Sequence, residues 1–283
     1  MLSILIPTYN YDCSSLVYDL DTMCSKANID YEIIVGNDGS TANMQNLKNL
    51  SQTLSHFRFL DFKENRGRSI IRNTLAREAK YEKLLFIDSD MKVYKSDYIQ
   101  QYINEDAPIV AGGIKVLEDK NPTYILHKKY EKNRSTGIAT TQNILVRKDV
   151  FDEVRFIENV KKYGYEDIIF SHRLDKMYGI KFIYNPLIHN GPIPTDIFIT
   201  RIAESTETLI ELYQDAKYRK DIIESSKLLR TYLKIKKARG LYLLLFKLSK
   251  GFIVKQLRSK NPSMFLMDMY KLGVLCNLIE LRK

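Results

Sequence analysis

Over its first hundred residues the chain alternates short apolar runs with stretches of helical spacing. LSILI at 2–6, closed by Pro-Thr-Tyr-Asn, reads as a first strand. Residues 14–27 follow as a helix, and YEIIVGNDGS at 31–40 is a second buried strand ending in turn residues. FRFLDF at 57–62 alternates as a strand does, and 66–80 sets Ile70, Ile71, Leu75 and Ala79 at helical spacing. KLLFI at 83–87 is a further apolar run, met at once by Asp88-Ser89-Asp90. Strands alternating with helices predict an α/β domain with a mostly parallel sheet and crossover helices. Ligands collect at the carboxyl ends of such strands, where this chain has three polar clusters: Thr8-Tyr9-Asn10, Asn37-Asp38-Gly39-Ser40 and Asp88-Ser89-Asp90.

From about residue 107 the pattern changes. APIVAGGIKV and TQNILVRKDVF read as strands of a mixed or antiparallel region, 166–178 as a helix, IKFIYNP as one more strand and IHNGP as a loop. Residues 196–235 are helical with scattered charges, and LYLLLFKLSKGFIVKQL at 241–257 is strongly apolar with interleaved lysines. The expected division is a domain over 1–195, in halves 1–106 and 107–195, with a helical extension over 196–283.

Composition changes this picture in two places. The 283 residues are 45% hydrophobic and 28% charged, which is ordinary for a globular chain and excludes global disorder. The net charge of +10 is confined to one segment: from Arg230 onward there are 13 Lys and Arg against 2 Asp and Glu, and the rest is nearly balanced. Cys13, Cys24 and Cys276 have no metal-binding spacing and cannot all pair, so a reducing, cytoplasmic compartment is expected. MLSILIPTYN lacks a basic leader and is broken by Pro7, so it reads as a strand and not a signal peptide. No run approaches the roughly 20 apolar residues of a membrane span.

The candidate chemistry starts with Asp88 and Asp90. In an extended strand end, residues i and i+2 face the same side, so both carboxylates could address one ligand. Two hard oxygens suit Mg²⁺ or Mn²⁺, which complete their shells with water and substrate phosphates; an exposed turn capping a helix is the plainer alternative. Asp38 could accept two hydrogen bonds from a base or ribose, or simply form an Asx-turn. Arg68 and Arg72 stand four apart on a helix, placed to clamp phosphate or to form a solvated basic face. Glu166 and Asp167 open a helix, where the dipole favours carboxylates in any case; near a cleft such a pair also suits general-base work on a hydroxyl. His189 lies in a loop after an apolar strand and could offer a neutral imidazole to a divalent metal.

The order and spacing of ILIPTYN, YEIIVGNDGST, NRGRSIIRN, LLFIDSD and GYEDIIFSHRL resemble the inverting family 2 glycosyltransferases of GT-A fold, over roughly residues 1–192. The resemblance implies a nucleotide pocket lined by Pro7, Thr8, Tyr9, Asn10 and Asp38, with Arg68 and Arg72 near the base or diphosphate. Asp88-Ser89-Asp90 matches the family's DxD, with Asp90 as the metal ligand and Asp88 toward the ribose or the metal's water shell. His189 would complete that shell. Asp167 of the Glu166-Asp167 pair would deprotonate the acceptor hydroxyl. AGGI at 111–114 would line the sugar and acceptor sites, and Asn143 stands where relatives often carry a small or polar residue. The implied cofactor is Mn²⁺ or Mg²⁺, and the implied donor is a nucleotide sugar, UDP-linked by family frequency. No QxxRW-type motif follows the Glu-Asp pair, which favours addition of a single sugar to a glycan or lipid-linked glycan.

The basic tail over 230–283 has two readings: an interfacial helix on an anionic membrane, at the inner face of the cytoplasmic membrane, or a hairpin packed on the core or a second copy. Nucleic acid is disfavoured as a partner, since no reader motif accompanies the charge. A nucleotidyltransferase is the nearest rival enzyme, but PTYNYDCSS lacks the Gly-rich basic loop expected after the first strand. A non-catalytic sugar-nucleotide-binding protein is the other alternative.

Overall fold

The computed structural model describes residues 1–117, 121–134, 141–158 and 164–282. In chain order the elements are β1 (Leu2–Thr8), α1 (Ser14–Ala27), β2 (Tyr31–Asp38), α2 (Gln45–Thr53), β3 (Phe57–Phe62), α3 (Arg68–Glu78), β4 (Lys83–Ile87), β5 (Met91–Lys92) and α4 (Tyr98–Ile103). They continue with β6 (Ile109–Ala111), β7 (Ile114–Lys115), α5 (Ile125–Arg134), β8 (Asn143–Arg147), α6 (Lys148–Val154), α7 (Glu166–Tyr178), β9 (Lys181–Phe182) and β10 (Leu187–His189). The remainder is helical: α8 (Thr195–Gln214), α9 (Arg219–Ser225), α10 (Lys227–Ile235), α11 (Arg239–Leu257) and α12 (Met264–Leu281). By packing, the chain forms two units: residues 1–116, 135–159 and 173–191, and residues 117–134, 160–172 and 192–283.

The first unit holds a seven-stranded sheet of order β3-β2-β1-β4-β8-β6-β9. β3, β2, β1 and β4 run parallel, while β8 is antiparallel to both β4 and β6. All eight residues of β2 are buried, and β1 is buried at every position but Pro7, as parallel strands covered on both faces must be. Leu16, Val17 and Leu20 of α1 pack with Ile4, Ile6, Ile33 and Val35 in one apolar cluster. Since β2 and β3 lie to one side of β1 and β4 to the other, the order reverses between β1 and β4. Ligands of open α/β sheets bind at that reversal, outside the carboxyl ends. A small sheet, β5-β10-β7, lies in the same unit and pairs His189 with Met91 in antiparallel register.

The polar knot beneath the 111–114 stretch centres on Asn143, which is fully buried. Its Oδ1 accepts from the hydroxyls of Tyr98 (2.7 Å) and Tyr102 (2.6 Å), and its amide nitrogen donates to the carbonyls of Gly113 (2.7 Å) and Asn185 (2.9 Å). Burial drives both tyrosine hydroxyls above their ordinary pKa, so they stay protonated donors. Gly112 passes so close that a Cβ there would lie 2.2 Å from the Tyr102 hydroxyl. Asn143 is thus an internal fastener and not a lining residue.

In the second unit α8, α10, α11 and α12 pack on one another. The helical stretch expected over 196–235 is three helices, the last started by Ser226, whose side chain accepts from the Leu229 N–H. TQNILVRKDVF, expected as strand throughout, turns helical at Lys148. All three cysteines are free and buried; burial raises the thiols of Cys13 and Cys24 to about 12 and that of Cys276 to about 11, leaving them unreactive. No helix among the described residues is long and apolar enough to cross a membrane.

Candidate active site

The carboxyl ends of β1, β2 and β4 carry the expected residues, but several are already engaged. Thr8 is buried and donates to the Tyr11 carbonyl (2.7 Å); Pro7 is half-buried and Tyr9 is exposed. Asn10 adopts a left-handed φ of 52° and acts as a latch: its Oδ1 accepts from the N–H groups of Thr41 (2.8 Å) and Ala42 (3.0 Å), and its own N–H donates to Ser40 Oγ. Asp38 is 4% exposed and receives one backbone N–H on each oxygen, from Arg66 and Gly67, both at 2.9 Å. Those bonds hold the entry to α3. Each oxygen keeps a further lone pair for a ligand.

α3 brings Arg72 into the interior, 3% exposed, with its Nη2 2.7 Å from Asp88 Oδ1. Its Nε and Nη1 have no hydrogen-bond partner among the described residues, and its guanidinium lies 5.4 Å from the centre of the Phe156 ring. A buried cation with two idle donors is a strong attractor for an anion. Arg66, which the sequence reading did not single out, is similar. Its guanidinium stacks 3.8 Å above Phe62, and its Nε and Nη2 are buried without partners among the described residues. The only signal for it in the sequence is its place two residues before Arg68, across Gly67.

The two aspartates of the DxD part company. β4 ends at Ile87, and residues 88–90 turn, with the Met91 N–H donating to the Asp88 carbonyl (3.2 Å). The strand alternation that would point both side chains one way therefore does not apply. Asp88 goes to Arg72, while Asp90 Oδ2 lies 3.0 Å from His189 Nε2; Ser89, between them, is half-buried. Antiparallel pairing of β10 with β5 carries His189 to this point, and the Asn190 N–H donates to the Asp90 carbonyl (2.9 Å). Gly191 completes the approach, since a Cβ there would sit 2.8 Å from Asp90 Oδ2. Burial pulls the Asp90 carboxyl upward, but the hydrogen bond and charge of His189, aided by exposed Arg68, outweigh it and hold the group below the ordinary carboxylate range.

A divalent metal fits here on geometric grounds. The 3.0 Å Asp90–His189 contact is a hydrogen bond that also brings two metal-type donors to one place, at a spacing that adjacent ligands of an octahedral ion can share. An oxygen and an imidazole nitrogen also suit Mn²⁺.

Removing the Asp88 charge tests the buried pair. Asp88→Asn leaves Arg72 charged and enclosed, and unfolding free energy in urea is expected to fall by about 3 kcal/mol. The low end of the usual range is expected because Asp88 keeps 20% of its side chain in water.

Glu166 and Asp167 belong to the second unit and form the first turn of α7. Glu166 is 5% exposed, and Asp167 is half-buried, with its Oδ1 accepting from the Ile168 N–H (2.8 Å). The turn before them has positive φ at Gly164 (106°) and Tyr165 (70°), a tight bend that delivers both carboxylates at the helix start.

Residues 3–167 match the model of "Glycosyl transferase family 2". The chondroitin synthase of Escherichia coli is 30% identical over 151 residues; these are 50% of this chain but 22% of that protein, so the chain spans about a fifth of its length. Among solved structures, the mannosyltransferase PcManGT from Pyrobaculum calidifontis, in complex with GDP-Man and Mn2+, is 16% identical with a TM-score of 0.58, over 99% of this chain and 86% of that one. S. aureus TarS 1-349 in complex with UDP-GlcNAc is 14% identical with a TM-score of 0.51, over 100% and 92%. These likenesses establish the GT-A fold, and with more than half its length matched to the family model, the chain belongs to glycosyl transferase family 2.

Proposed function

We propose that the protein transfers one sugar from a UDP-linked donor to a hydroxyl of a glycan or lipid-linked glycan, with inversion. The observation that carries this reading is the Asp90–His189 pair at 3.0 Å, just past the end of β4, its Asp90 member inside the span matched to the family. The complexes of similar structures, one with GDP-Man and Mn2+ and one with UDP-GlcNAc, support a nucleotide-sugar donor.

Asp90 and His189 would hold Mn²⁺ or Mg²⁺. When bound, the metal supplies positive charge that offsets the departing nucleoside diphosphate. The chain's own residues do the rest. Arg72 offers its idle Nε and Nη1 to the diphosphate, and Arg66 and Arg68 add charge at the entry to α3. Asp38 and the Asn10 latch keep the loops after β1 and β2 in place around the nucleoside. Asp167 takes the proton of the acceptor hydroxyl, and Glu166 shares its helix turn. The acceptor oxygen bonds to the anomeric carbon as the carbon–oxygen bond to the diphosphate breaks, and the electron pair leaves with the diphosphate. Holding both reactants in line removes much of the entropic barrier. The buried thiols suit action in the reducing cytoplasm.

Nucleotide release from a panel of UDP, GDP and other nucleotide sugars, each with Mn²⁺, Mg²⁺ or chelator, tests the reading. Turnover with one donor class is expected only with metal, and Asp90→Ala is expected to lower it by about 10²-fold or more. Metal-independent turnover unchanged by Asp90→Ala would refute the mechanism.

A further inference from the structure

The basic tail resolves into a helix with two opposed apolar faces. On α11, Leu243, Phe246, Ile253 and Leu257 are buried, and Gly273 of α12 lets the Phe246 ring approach so closely that a Cβ there would lie 2.3 Å away. A second set, Leu241, Leu244, Leu245, Leu248 and Phe252, remains between 56% and 78% exposed. Their spacing of i, i+3, i+4, i+7 and i+11 puts them on one side of the helix, away from the buried set. Isolated exposed leucines need no explanation, but a continuous stripe about 17 Å long does.

The charge beside the stripe identifies what it fits. Lys247, Lys250, Lys255 and Arg258 surround Gly251 in a shallow groove on the same helix. Arg258 also pairs with Asp196 (2.7 Å). Exposed Lys234, Lys236 and Lys237 immediately precede α11, and the sequence has no Asp or Glu from 227 to 267. A second copy of this helix would bring like charges together, whereas an anionic lipid surface meets both the leucines and the lysines.

We infer that α11 docks in the plane of an anionic bilayer surface through Leu241, Leu244, Leu245, Leu248 and Phe252, with Lys247 and Lys255, at the margins of the stripe, on lipid phosphates. The inference is independent of the reaction proposed above.

Co-sedimentation of the full chain with vesicles tests it, using phosphatidylcholine alone or with about 30% phosphatidylglycerol. Binding is expected with the anionic vesicles and is expected to fall as salt rises. Leu244→Gln/Leu248→Gln/Phe252→Gln should weaken it about 10²-fold. Lys247→Gln/Lys255→Gln should weaken it about 25-fold, at roughly fivefold per lysine. All five side chains are exposed, so the thermal unfolding of both variants should match the parent. Anionic-vesicle binding unchanged in either variant overturns the inference. So does a parent that ignores anionic vesicles but self-associates in sedimentation velocity through the leucine stripe, which assigns the face to a second copy.

Discussion

Asp167→Asn is expected to lower kcat by about 10²–10⁴-fold, the usual contribution of a positioned general base. The amide keeps the shape of the side chain and can still accept the Ile168 N–H through its oxygen, so the start of α7 should stay folded. What it loses is the capacity to take a proton from the acceptor hydroxyl. Donor binding should therefore be preserved, and the loss should appear in kcat with little change in donor KM. Rapid-mix measurement of sugar transfer, alongside nucleotide release without acceptor, separates the two. A fall in donor affinity with kcat intact would assign Asp167 to donor binding and not to acceptor activation.

The second large effect is on stability. Asn143→Ala removes the acceptor for two buried hydroxyls and a donor to the carbonyls of Asn185 and Gly113 in one step, of which Gly113 keeps the Leu187 N–H. Each stranded group costs about 1–3 kcal/mol, but Tyr98 and Tyr102 can partly satisfy one another, so a loss of about 4 kcal/mol in urea unfolding is expected. Asn143→Asp separates the two halves of the knot. The carboxylate still accepts both hydroxyls but faces the carbonyls of Gly113 and Asn185 with an oxygen, so the loss should persist. If Asn143→Asp matched the parent, the amide donor would be irrelevant. Because the Asp88 N–H donates to the carbonyl of Gln142 (3.3 Å), loosening this knot should also reduce catalysis.

The sequence was most readable where one physical signal dominated. β1, β2 and β4 are largely apolar runs buried on both sides, the edge strand β3 shows alternation instead, and α1 spans the expected 14–27. α2 escaped notice because its only buried residue is Leu47, and α4 because it is a single short turn-and-a-half of mostly aromatic and amide residues. α12 has apolar residues on nearly every side, so periodicity alone does not mark it. In the site, residue types were legible but partners were not. That Asp88 would meet Arg72, and Asp90 would meet His189, depends on where β4 stops and on β10 pairing with β5. Such pairings join positions far apart in the chain. Asn143 was visible as a polar residue in an apolar strand, yet its four partners come from three separate stretches, which one-dimensional pattern cannot bring together.

The antiparallel entry of β8 beside β4 has a consequence for how relatives diverge. Ile87 is locked in register to Asn143, so the chain between them, which includes β6, leaves the end of β4 and returns to a fixed point beside it. That excursion can lengthen, shorten or exchange its loops without shifting a strand, since closing a longer loop costs little extra entropy. The excursion contains the 111–114 stretch and the whole of α5, and its anchor is the residue before Asp88. Loops in this stretch can thus change while Asp88 and Asp90 keep their place.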